Sequence, residues 1–160
     1  RLSLVGSEMC IRDSIHIVIV GRRTGYTEKV EQFIKDNGLG ERVHIISNVP
    51  FNDLPAFYQS AEIFVYPSRF EGFGIPIIEA LYSGIPVVAA TGSCLEEAGG
   101  PDSIYVNPDD ITGLADAFKQ IYSNSDKRKN MVEKGREFAK RFSEKQQSEE
   151  IINIYKKLIR

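Results

Sequence analysis

Hydrophobic positions follow two rhythms along the chain. Short apolar runs come first: Ile17-Val18-Ile19-Val20 after His16, then Val43 to Ile46, Ile63 to Tyr66, Pro86 to Ala90 and Ile104 to Val106. Each is rich in β-branched or aromatic residues and ends near Gly, Pro or Asn, which predicts strands. The run at 16–20 reads as a buried strand. Between the runs the spacing changes to three and four. Val30, Phe33 and Ile34 predict a helix from Tyr26 to Asn37, stopped by Gly38 and Gly40. Leu54, Phe57 and Tyr58 predict a short helix capped by Asp53. A further helix runs from about Ile75 to Ser83 and ends at Gly84. Leu95 to Ala98 reads as one turn, and three helices follow at about 111–122, 127–141 and 145–159.

Strands that alternate with helices and are apolar on both faces predict a doubly wound α/β domain. It has a parallel sheet with helices on both faces. Such sheets bind ligands beyond the carboxyl ends of their strands, so chemistry is expected in the loops after Val20, Ile46, Tyr66 and Ala90.

Composition narrows the classes. With 160 residues, 42% hydrophobic and 26% charged, the chain fits one globular domain or part of a larger protein. A net charge of −2 argues against a nucleic-acid partner, which needs a basic face. Cys10 and Cys94 form no paired motif. His16 and His44 both fall on predicted strands and read as core or strand-end residues; no cluster suggests a metal. Residues 1–14, RLSLVGSEMCIRDS, lack helical or strand periodicity and the layout of a signal peptide. They resemble translated adapter sequence, with an irregular N-terminal arm as the alternative. The domain is therefore read as 15–160, with the natural chain expected to begin further upstream.

The loop after the third strand carries the most chemistry. In YPSRFEGFGIPIIEAL, Gly72 and Gly74 let backbone amides approach a ligand closely, and a helix begins with Pro76 in its first turn. Free amides at a helix start attract anions, a phosphate above all. A tight turn that only reverses the chain is the other reading. Glu71 and Glu79 add acceptors for sugar hydroxyls. An ionised Glu79 within an apolar helix segment needs partners. Phosphate on the amides and hydroxyls on the acids together describe a sugar nucleotide.

Glu71-x7-Glu79 within PSRFEGFGIPIIEALYSGIPVVAA resembles the signature of retaining glycosyltransferases of the GT-B fold, in the group called glycosyl transferases group 1, or family 4. NVPFNDLPAFYQSAEIFVYPS resembles the family's preceding segment. Leu95-Glu96-Glu97-Ala98-Gly99-Gly100 resembles its Leu-Pro-Glu-x-Gly-x stretch, with Glu96 in place of Pro. The likeness covers about residues 15–160 and implies the C-terminal, donor-binding half of a GT-B fold. It implies that Glu71 contacts the donor sugar, that Glu79 holds the ribose, and that the backbone of Gly72, Phe73, Gly74 and Ile75 faces the diphosphate. Asn48 and Val49 would meet the base.

The implied reaction moves a hexose from a GDP- or UDP-sugar to an acceptor hydroxyl without a cofactor or metal. The implied partners are the donor, an N-terminal acceptor domain of the same protein, and a saccharide or lipid-linked acceptor. The implied location is cytoplasmic or peripheral on the cytoplasmic membrane face. The family's diphosphate-gripping Arg and Lys have no match in residues 1–14, and no catalytic residue is assignable in this chain. The 160-residue chain is expected to bind donor weakly without turning it over. The family's final helix often crosses to the other domain, so an exposed apolar stripe is expected near Ile152 and Tyr155. The alternatives are a sugar-nucleotide epimerase of related architecture and a non-catalytic nucleotide-binding domain.

Overall fold

The computed structural model describes residues 15–159. The segment 1–14, and the reading of it as foreign, lies outside the described residues. The chain divides into two units, Arg1–Leu54 and Pro55–Arg160.

In the first unit, β1 (Ile17–Val20) pairs in parallel with β2 (Val43–Ile46), Ile17 opposite Val43 and Val20 opposite Ile46. Helix α1 (Thr27–Asp36) connects them. The amides of Gly38 and Leu39 return to the carbonyls of Lys35 and Ile34 and end the helix there. β1 departs from the buried strand that its apolar run predicts. Its four side chains are between 40% and 50% exposed. A parallel strand is buried only when elements cover both faces. β1 pairs with β2 alone among the described residues, and no residue of α1 is buried. His16 and His44 are exposed rather than core. Their Nδ1 and Nε2 atoms lie 3.1 Å apart as a hydrogen-bonded pair. Asp53 sits in a 3-10 turn (Phe51–Asp53) ahead of α2 (Leu54–Ser60). Its carboxylate makes no hydrogen bond among the described residues, so the expected cap is absent.

In the second unit, β3 (Phe64–Tyr66), β4 (Val87–Ala90) and β5 (Ile104–Val106) form a parallel sheet in the order β3-β4-β5. Among the described residues the five strands thus pair as two ladders rather than the one sheet expected. Helix α3 (Ile75–Ser83) follows β3, α4 (Leu95–Gly99) follows β4, and α5 (Ile111–Tyr122) follows β5. Then come α6 (Ser125–Ala139), a 3-10 turn (Lys140–Phe142) and α7 (Glu144–Leu158). Asp110, Asn124 and Ser143 cap the last three helices through side-chain oxygens that accept from Gly113, Lys127 and Gln146 amides.

The buried core lies in this unit. All four β4 side chains are buried. Successive strand side chains point to opposite faces. Val87 and Ala89 join Ile77, Ala80, Leu81, Leu95 and Ala98. Val88 joins Ala117, Ile121 and Met131. Helices therefore cover both faces of the sheet. α6 packs closely on α3 at Gly135, where an added Cβ would lie 2.7 Å from Leu81 Cδ2. α7 buries none of its residues, and Ile152 and Tyr155 lie on it 50% and 62% exposed, as the stripe predicts. No helix among the described residues is long and apolar enough to cross a membrane.

Candidate functional site

Because β3, β4 and β5 run in parallel, the loops after them share the carboxyl edge of the sheet. Two contacts tie those loops together. Cys94, after β4, donates its thiol to the Glu71 carbonyl at 3.3 Å. Arg69, after β3, makes a two-pronged ion pair with Asp109, after β5, with Nη1 to Oδ2 at 2.8 Å. Both partners are exposed, and each favours the other's charged form. Asp109 is held below the usual carboxylate range and Arg69 above its ordinary value.

Gly74 begins α3 in a left-handed conformation, φ 100°, which costs a side-chain-bearing residue about 1–2 kcal/mol. It is buried, with its Cβ position 2.9 Å from Leu95 Cδ2 and 3.2 Å from Ala98 Cβ. Its carbonyl accepts from the Ile77 amide at 2.9 Å. Pro76 carries no N–H. The helix therefore contributes fewer free donors than its start alone suggests. What remains is a continuous set: the amides of Gly72, Phe73, Gly74 and Ile75 have no acceptor among the described residues. Gly72, Phe73 and Ile75 are exposed, so this end of the helix is open on one side. Phe73 is fixed by edge-on contact with Phe142, ring centroids 5.7 Å apart.

The two acids flank that stretch in sequence, and each is anchored. Glu71 Oε1 accepts from the Tyr66 hydroxyl at 2.7 Å and from the Ser68 hydroxyl at 2.8 Å. These donors, Tyr66 first, hold the Glu71 carboxyl below the usual range. Burial, then the bond to Glu71, pushes the Tyr66 phenol up to about 12. Glu79 Oε2 accepts from the Tyr58 hydroxyl at 2.9 Å. Burial and then that bond push the Tyr58 phenol well above its ordinary value. Phe64 lies between the two tyrosines, 5.4 Å from the Tyr58 ring and 5.8 Å from the Tyr66 ring. Both acids are half-buried.

Asn48 and Val49 belong to the first unit, in the turn after β2. Asn48 has φ 61°, a region that Asn tolerates better than most residues. The preceding Ser47 hydroxyl is buried with no partner among the described residues. Sequence reasoning missed Tyr58, Tyr66, Ser68, Cys94 and Ser47. Tyr66 and Ser68 lie close enough in the chain to Glu71 to be suspected. Tyr58 lies 21 positions from Glu79, and only the fold brings them together. A separate depression of about 710 Å³, with Glu62, Pro86, Arg128 and Arg136 in its wall, lies at the amino edge of β4. None of the predicted donor-binding residues lines it.

Residues 7–138 match the family described as Glycosyl transferases group 1. The chain is 37% identical over 119 residues to the O-antigen chain mannosyltransferase RfbU of Salmonella typhimurium, covering 74% of this chain and 34% of that protein. It spans about a third of the length of the curated relatives it matches. Among solved structures it resembles the C-terminal domain of a glycosyl transferase group 1 family protein, LpcC, from Francisella tularensis. There the TM-score is 0.70 at 27% identity, over 77% of this chain and 67% of that one. It shares its fold with Anabaena HepE, solved in complex with UDP-glucose: TM-score 0.73 at 22% identity, over 79% of this chain and 36% of that one.

Proposed function

The chain belongs to the glycosyl transferases group 1 family, and on that premise we propose that it is the donor-binding part of a retaining, GT-B, family 4 hexosyltransferase. The whole protein moves a hexose from a nucleoside diphosphate sugar to an acceptor hydroxyl. The observation that carries this reading is the run of four amides, Gly72 to Ile75, with no acceptor among the described residues, flanked by two acids that each keep one oxygen without a partner among them. The amides meet the diphosphate. As the sugar–oxygen bond breaks, negative charge grows on the leaving diphosphate, and fixed N–H dipoles stabilise it without reorganising. Glu71 accepts hydroxyls of the sugar and Glu79 those of the ribose. Asn48 and Val49 meet the base.

The names of the relatives support a mannosyl donor, and the HepE complex supports a UDP-hexose. No metal or cofactor takes part in this reading. The acceptor, a saccharide or a lipid-linked one, binds an N-terminal domain of the same protein on the cytoplasmic side or at the cytoplasmic membrane face. Nothing favours the epimerase alternative.

Calorimetric titration of the chain with UDP-glucose and GDP-mannose tests the reading. Heat with one of them, lost in Glu79→Gln and weakened in Glu71→Gln, supports it. Equal affinity in both variants and the parent contradicts it.

A further inference from the structure

Glu71 and Glu79 are held in the same manner from different parts of the fold. In each, one carboxylate oxygen is occupied by a tyrosine hydroxyl: Glu71 Oε1 by Tyr66, at the end of β3, and Glu79 Oε2 by Tyr58, in α2. In each, the second oxygen, Glu71 Oε2 and Glu79 Oε1, has no hydrogen-bond partner among the described residues. A long glutamate side chain loses considerable rotamer freedom when it is fixed. Here that freedom is already gone before any ligand arrives. The two tyrosine rings in turn rest on one ring, Phe64. Phe64 packs against the core formed by α3, α4 and β4, so both anchors share a rigid support.

We propose that Tyr58 and Tyr66 are positioning residues that divide the donor between them. Tyr66 aims the free oxygen of Glu71 at the sugar, and Tyr58 aims that of Glu79 at the ribose. This rests on the functional reading above and adds residues that the Glu-x7-Glu pattern does not contain. Neither tyrosine touches the ligand. Each acts by limiting its carboxylate to one orientation, a form of preorganisation that raises affinity without a new contact. The two tyrosines therefore leave different signatures. Loss of the Tyr66 hydroxyl affects only ligands that carry the sugar. Loss of the Tyr58 hydroxyl affects every ligand that carries the ribose. Ser68 shares Glu71 Oε1 with Tyr66, so removing both hydroxyls has the larger effect.

The experiment titrates the chain with four probes, UDP, UDP-glucose, GDP and GDP-mannose, and compares Tyr58→Phe, Tyr66→Phe and the Tyr66→Phe/Ser68→Ala pair with Glu79→Gln and Glu71→Gln. In Tyr66→Phe the affinity for the sugar nucleotide falls about tenfold, the scale of a bond to a charged group, while that for the matching nucleoside diphosphate is unchanged. In Tyr58→Phe both affinities fall by the same factor. A phenylalanine that merely loosened the fold would lower both affinities in both variants and the melting temperature with them, and that result overturns the proposal. If the glutamate variants lose affinity but the phenylalanine variants match the parent, the positioning role is overturned and the functional reading stands. If the glutamate variants also match the parent, or the parent binds none of the probes at millimolar concentration, the functional reading falls and the positioning role with it.

Discussion

The Cys94 thiol donates to the main-chain carbonyl of Glu71 at 3.3 Å, across 23 positions of sequence. It fastens the loop after β4 to the loop that carries the first acid. A thiol is a weak donor, so its removal should cost little stability. Cys94→Ala is expected to lower unfolding free energy by about 0.5–1.5 kcal/mol in urea titration, with Cys94→Ser recovering most of it. A change as large as that of a core deletion would mean that the thiol supports more than this carbonyl.

Gly74 combines a positive φ with a Cβ position already occupied by Leu95 and Ala98. Gly74→Ala should cost about 2–4 kcal/mol, from left-handed strain and overpacking together. Thermal unfolding measures this. Gly72 meets no atom within 4 Å at its Cβ position and is not left-handed, so Gly72→Ala should melt close to the parent.

Close approach of α6 to α3 rests on Gly135. Gly135→Ala should destabilise the protein by about 1–3 kcal/mol, because the new methyl meets Leu81 Cδ2. Leu81 is buried, and Leu81→Ala alone should cost about 2–5 kcal/mol. The double variant should lose less than the sum of the two, because removing Leu81 makes room for the methyl.

The Tyr66–Glu71 pair gives a pH dependence at both ends. The Glu71 carboxyl is depressed in the folded state. Its contribution to stability is therefore present above the ordinary carboxylate value and is lost as pH falls through the folded one. The Tyr66 phenol is raised to about 12. Its contribution is present below the ordinary phenol value near 10 and is lost as pH rises from there towards about 12. Burial also pushes the Tyr105 phenol up to about 12, so ultraviolet titration should show a tyrosinate absorbance step in this upper range that is smaller by one tyrosine in Tyr66→Phe. An undiminished step in that variant would assign it to other residues.

Much of this architecture is legible in the sequence. The apolar runs and the three-and-four spacing locate β3, β4, β5 and α3 to within a residue or two, because a run apolar on both faces needs cover on both, which β4 finds in full and β3 and β5 in part. Glu71 and Glu79 stood out because acids beside glycine and within an apolar helix need a reason. The burial of β1 was not legible. Its sequence suits a covered strand, but cover comes from neighbours, and only β2 lies beside it among the described residues. Tyr58 was invisible as a partner of Glu79 for the same reason: a contact between α2 and α3 has no local spacing to betray it. Asp53 does stand directly before α2, as a cap would, but it lies inside the 3-10 turn and its carboxylate accepts no amide among the described residues.

In the proposed function the amides of Gly72, Phe73, Gly74 and Ile75, which have no acceptor among the described residues, receive a diphosphate. Amide nuclear magnetic resonance of the isotopically labelled chain, titrated with UDP-glucose and GDP-mannose, tests it most directly. The Gly72, Phe73, Gly74 and Ile75 resonances should shift together and saturably with one of the two donors, while those of Gly84 and Ile85 in the separate depression stay in place. Unmoved signals from the four, with shifts elsewhere, would contradict it.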